Sequence, residues 1–92
     1  MQFSWNDEKN RTNKRKHGIC FETAKLVFDD PLHVSKQNCF ENGEMRWQTI
    51  GIINGIAILL VAHTVIDEAH MRLISARKAT KQERMIYEKA NF

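Results

Sequence analysis

Hydrophobic and polar positions follow different rhythms along this chain, and each rhythm predicts an element. Phe3-Ser4-Trp5 alternates apolar and polar side chains before Asn6-Asp7, a good helix N-cap pair, and Gly18 closes a Lys/Arg run that suits a helix C-terminus. Residues 6–17 therefore read as helical at both ends. Their interior, Asn-Asp-Glu-Lys-Asn-Arg-Thr-Asn-Lys-Arg-Lys, has no apolar face, and a helix polar all round is unstable alone or is held between other things. A second, short helix is expected over Phe21 to Phe28. It offers Phe21, Ala24, Leu26 or Val27, and Phe28 to one face of a sheet and ends at Asp29-Asp30-Pro31.

Beyond residue 31 the period becomes strand-like. Asn42-Gly43 and Asn54-Gly55 favour the left-handed conformations of type I′ hairpin turns, and each sits between strand-like runs. Strands are expected near 32–40, 45–53, 56–65 and 70–76, with a looser turn at Asp67-Glu68-Ala69, as an antiparallel meander. The third run, Ile56 to Val65, is apolar on both alternations and reads as a central strand covered on both faces. A membrane helix from Ile50 to Ile66 competes for the same residues. It sits at the lower length limit for spanning and contains Asn54-Gly55, so a hairpin explains more. Thr80 and Glu83 stand at capping-box spacing and predict a closing helix over 81–90. The fold class is α+β: N-terminal helices packed on a four- to five-stranded, mainly antiparallel meander with a C-terminal helix.

Length and composition narrow the class. Ninety-two residues make one domain, 1–92, and a chain of this size buries about two-thirds of its unfolded surface, leaving little room for a deep cavity. Hydrophobic residues at 42% and charged residues at 27% exclude a disordered or collagen-like chain. Two cysteines, Cys20 and Cys39, form neither a disulfide framework nor a zinc motif, and the N-terminus lacks a signal-peptide pattern. A cytoplasmic, reducing location is expected. Charge is spread unevenly: residues 1–18 carry five Lys/Arg against two acids, residues 71–92 six against two, and the middle three against seven. Two basic ends suggest a polyanion partner if they meet in space; two solvated Lys/Arg-rich helices are the plainer alternative.

No metal-ligand spacing, Gly-rich phosphate loop or nucleophile elbow occurs, so no metal or cofactor is expected. The remaining polar groups suit RNA. Cleavage by a neighbouring 2′-hydroxyl needs a base, an acid and cations around the phosphorane. Arginine forks two hydrogen bonds to phosphate oxygens, and aromatic rings stack unpaired bases. Arg72 in the last strand, Arg77 just past its end and Arg46 near the start of its own strand are placed to line one rim, or else to pair with acids at the surface. His17, as an imidazole, is a candidate for acid or base work, or else caps helix carbonyls. His63 reads as a core residue, and Trp5 as core or base platform.

The blocks Trp5-x3-Lys9-x3-Asn13-x2-Lys16-His17-Gly18-Ile19-x-Phe21-Glu22-x-Ala24, Glu44-x-Arg46 and Arg72-x-Ile74-Ser75-Ala76-Arg77-x-Ala79-x3-Glu83-Arg84-x2-Tyr87 resemble those of BrnT-type toxins and span nearly the whole chain in order. One departure is Asn6, where that family usually has Asp. The resemblance implies a RelE-like fold and a metal-independent ribonuclease toxin of a type II toxin–antitoxin pair that arrests translation. It also implies neutralisation by a BrnA-type antitoxin, with operator DNA bound only through the complex, which represses its own operon. The polar first helix would then be held between sheet and partner or substrate. Carried onto this sequence, the resemblance makes His17, Glu44, Arg46, Arg72 and Arg77 the candidate catalytic residues, with His17 the first choice as acid or base. Trp5, Lys9 and Lys16 are the candidate RNA-binding residues. The alternative is a non-catalytic nucleic-acid or antitoxin-binding module of the same fold.

Overall fold

Both Asn-Gly dipeptides turn the chain as their preference dictates. Asn42 and Gly43 have φ of 53° and 77°, and Asn54 and Gly55 have 52° and 65°, the paired left-handed conformations of type I′ turns. In the computed structural model, which describes residues 1–91, they join strand β2 (Val34–Glu41) to β3 (Glu44–Ile53), and β3 to β4 (Ala57–Asp67). Strand β5 (His70–Lys78) completes the meander, and helix α3 (Lys81–Asn91) follows. The segment 50–66 is thus a hairpin. No helix among the described residues is long and apolar enough to cross a membrane.

The sheet has five strands in the order β1-β5-β4-β3-β2. Strand β1 (Gln2–Ser4) was not expected. It pairs in parallel with the start of β5, Ser4 opposite Arg72, a contact between chain ends that a three-residue alternation does not announce. It also brings the two basic ends together.

Helix α1 (Asp7–His17) takes over where β1 ends, running beside β5. Its caps are those expected: Asn6 accepts a hydrogen bond from Lys9 N–H, and Gly18 adopts φ 74° while its N–H reaches the Lys14 carbonyl. The departure at Asn6 therefore preserves the cap. Amide side chains dock this polar helix instead of an apolar stripe. Asn13 is buried; its Oδ1 accepts from Ala76 N–H at 3.1 Å and its Nδ2 donates to the Ala76 carbonyl at 2.8 Å and the Ile19 carbonyl at 2.9 Å. One side chain thus imitates a neighbouring strand and closes the edge of β5. Asn10 Oδ1 accepts from Phe21 N–H at the start of helix α2 (Phe21–Ala24), which continues into a 3₁₀ helix over Lys25–Asp29.

Strand β4 is central and apolar on both faces, as its sequence predicts. Leu59 and Val61 join Phe21, Ala24, Val27, Leu73 and Ala76 on the face under α2 and the 3₁₀ helix. Approach there is close enough that a Cβ on Gly51 would stand 2.8 Å from Val27 Cγ1 and 3.0 Å from the Val27 carbonyl oxygen. On the opposite face Ile50, Leu60 and Tyr87 form a smaller cluster under α3. Helix α3 covers only that end of the face; the other end stays open and carries the site.

Candidate active site

Register places the charged side chains of the open face. Arg46 on β3 stands opposite Thr64 on β4, and Thr64 opposite Arg72 on β5, so the three form one row across the sheet. A bulge at Ile74 inserts one residue in β5, since Ala62 pairs with Ser75 while His63 pairs with Leu73. Because of it, Arg72 and Arg77 lie on the same face despite their odd separation. Arg72 Nη2 donates to both carboxylate oxygens of Glu44, at 2.9 and 2.8 Å. Arg46 Nε lies 3.3 Å from Glu41 Oε2 without the alignment of a hydrogen bond.

Helix α1 supplies the wall. Asn6, Lys9, Asn13 and Lys16 recur at helical spacing along one side, so the spacing of the first sequence block is the stripe of the helix that faces the site. Asn6 and Lys9 border a recess of about 210 Å³ with Arg46, Arg72 and the backbone bulge at Leu73–Ile74. That recess adjoins an open groove of about 560 Å³ along the helix, lined by Lys9, Thr12, Lys16, His17 and Ser75 among others. Four basic residues of α1's last turn, Lys14, Arg15, Lys16 and His17, stand where the helix macrodipole favours cations. The result is a shallow cationic channel suited to an extended polyanion.

Five expected site residues line this channel directly: Lys9, Lys16, His17, Arg46 and Arg72, with Glu44 held on Arg72. Two are elsewhere. Trp5 is half-buried, its ring edge-on to Phe21 with centroids 6.0 Å apart, packed against the core. Arg77 is not past the end of its strand but within β5, roughly 15 Å along it from Arg72. There it grips Glu83 of α3 at 2.7 and 3.0 Å. Glu83 also completes the predicted capping box, accepting from Thr80 N–H at 2.8 Å while its own N–H reaches Thr80 Oγ1 at 3.2 Å. Arg77's bond, with the cap, pulls the Glu83 carboxyl down to about 2.

The sequence did not single out Thr64 or the docking role of Asn13, although Asn13 stands inside the quoted blocks. Nor did it reveal Asp30. Burial would raise that carboxyl, but bonds from Ile52 N–H, the Tyr87 hydroxyl at 2.6 Å and Leu32 N–H outweigh burial and lower it. Burial and this bond push Tyr87 up to about 12, so it acts as a fixed donor that pins α3 to the sheet. His63, on the helix-covered face, bonds Thr49 Oγ1 through Nε2 at 2.7 Å, and burial depresses it to about 4. It is a neutral core residue away from the channel. Among the described residues no group of three or more His, Cys, Asp or Glu is placed to hold a metal ion.

Comparison with known proteins adds to this geometry. Residues 5–83 match the family model described as ribonuclease toxin, BrnT, of type II toxin-antitoxin system. The fold is similar to the crystal structure of the Brucella abortus ribonuclease toxin, BrnT, with a TM-score of 0.66 and 31% identity, covering 88% of this chain and 99% of that one. No curated protein matches.

Proposed function

The chain belongs to the BrnT family of ribonuclease toxins of type II toxin–antitoxin systems, and we propose that it cleaves single-stranded RNA on the open sheet face. The observation carrying this reading is the row Arg46–Thr64–Arg72 beside Lys9, at the head of a cationic groove. Arg46 and Arg72 take the oxygens of the scissile phosphate and offset the charge of the phosphorane. Glu44, adjacent through Arg72, accepts the proton of the 2′-hydroxyl as its oxygen attacks phosphorus. The P–O5′ bond breaks and Lys9 supplies a proton to the leaving oxygen, giving a 2′,3′-cyclic phosphate and a 5′-hydroxyl. Positive charge comes from the side chains, so the scheme calls for no metal ion. Lys16 and His17, farther along the groove, hold the flanking strand.

Family membership brings an antitoxin partner. We take it to be a BrnA-type DNA-binding protein that covers the cationic channel with complementary charge and carries the pair to its operator, where the complex represses the operon. The toxin itself acts in the cytoplasm, where its RNA targets are.

Induced expression of the wild type and of Arg46→Ala/Arg72→Ala, at matched soluble levels, tests the reading. Growth arrest with broken RNA is expected from the wild type and neither from the double variant. Healthy growth with intact RNA at high soluble wild-type levels would favour a non-catalytic module that binds nucleic acid or an antitoxin.

A further inference from the structure

Between the two arginines of the row lies Thr64, only 1% exposed. Its Oγ1 has no hydrogen-bond partner among the described residues, and neither has the buried Nε of Arg46 beside it. Two donors in one row without a hydrogen bond are unusual, because a buried hydroxyl or N–H left unpaired destabilises the fold, and Arg46 Nε has only its ion-pair contact with Glu41 at 3.3 Å. For packing alone Val would serve better at position 64, having the shape of Thr without the hydroxyl. The contrast with Thr49 is instructive: buried on the opposite face, its hydroxyl is engaged by both Ser35, at 2.6 Å, and His63, at 2.7 Å. Arg72 is also partly uncommitted, since Nη2 alone makes both bonds to Glu44.

We propose that Thr64 is a substrate-binding residue, its hydroxyl the third donor of a phosphate seat completed by Arg46 Nε and the free edge of Arg72. The inference rests on the ribonuclease reading and goes beyond it by adding a neutral residue under the cations. When a phosphodiester enters the recess, Arg46 and Arg72 turn their donors to its oxygens and uncover Thr64 Oγ1, which donates to a non-bridging oxygen. The pairing forms only with the substrate, so the free protein carries the cost of the unpaired hydroxyl and the complex recovers it.

The test compares wild type, Thr64→Val and Thr64→Ser as purified proteins. Three quantities are read: melting temperature, single-turnover cleavage of a single-stranded RNA oligonucleotide, and binding of the same oligonucleotide carrying 2′-O-methyl groups. Thr64→Val is expected to melt at or above the wild-type temperature yet cleave about ten- to a hundred-fold more slowly and bind the blocked oligonucleotide more weakly. Thr64→Ser, which keeps the hydroxyl, should retain most of both. Folded Thr64→Val that cleaves and binds like wild type would overturn the proposal alone. So would a fall in melting temperature in Thr64→Val that Thr64→Ser restores, which would mark a structural hydroxyl. A wild type that leaves RNA intact would overturn the ribonuclease reading itself, and the seat with it.

Discussion

Arg72 and Arg77 leave the same strand on the same face, and each meets a glutamate through paired hydrogen bonds, yet their surroundings differ. Glu83 is locked three ways: by two guanidinium nitrogens of Arg77, by the Thr80 N–H and by its own helix, which the Ile50–Leu60–Tyr87 cluster and the Asp30–Tyr87 bond hold to the sheet. Glu44 meets a single nitrogen of Arg72 beside a hairpin turn, at the end of the face that α3 leaves open. The first pair is a clasp, whose geometry is over-determined by its neighbours. The second holds its arginine ready while leaving donors for an incoming anion. On the proposed reading, identical side-chain chemistry serves structure or substrate according to what else is anchored around it.

The largest effect that separates the two pairs is catalytic. Arg72→Ala should lower RNA cleavage about 10²- to 10³-fold, the usual loss for one transition-state donor, with little change in melting temperature. Equal losses of cleavage from Arg72→Ala and Arg77→Ala, both folded, would erase the distinction.

Acid comes next, because the two ends of the sheet titrate differently. His63 is neutral in the fold and depressed from 6.5 to about 4, so the unfolded chain takes up its proton first as pH falls. Stability from this group is complete above 6.5 and is lost between there and about 4, on the order of 3 kcal/mol. The Glu83 carboxylate, lowered from 4.5 to about 2, contributes stability that is complete above 4.5 and is lost as pH falls toward 2. Urea unfolding across pH should show both limbs. His63→Phe should flatten the upper limb and Glu83→Gln the lower, and if either limb survives its variant, that assignment is wrong.

A smaller loss, about 2 kcal/mol, is expected from Asn13→Ala, which strips partners from both backbone groups of Ala76. Hydrogen exchange at Ala76 should rise sharply, whereas protection of α3 should hold. The smallest effect is expected from Arg77→Ala: about 1 kcal/mol, or a melting temperature lower by roughly 4–8 °C, with cleavage per folded molecule close to wild type.

Several elements were legible in the chain because their causes are local. Asn-Gly requires two consecutive positive φ values, so both hairpins were placed before any contact was known. Asn6 and Gly18 bounded α1, Thr80 and Glu83 started α3, and the doubly apolar run from Ile56 to Val65 read as a central strand in preference to a membrane helix. Candidate chemistry was legible to the same extent: Lys9, Lys16, His17, Glu44, Arg46 and Arg72 carry the charge an RNA site needs, and the blocks containing them resemble one family.

What the tertiary structure decided is which of these residues meet. A strand alternates faces with period two, so five residues should put Arg72 and Arg77 on opposite sides; the bulge at Ile74 overrides that count, and α3 then claims Arg77. Trp5 had two readings until Phe21 packed against it. The polar helix found its anchor in Asn13 only because β1 is three residues long and leaves the Ala76 edge of β5 uncovered. Thr64 gained meaning from lying between two arginines that are distant in sequence. Propensity and capping act over three or four residues and can be read along the chain, whereas register, edge closure and the sharing of ion-pair partners depend on contacts between distant segments and exist only once the sheet is assembled.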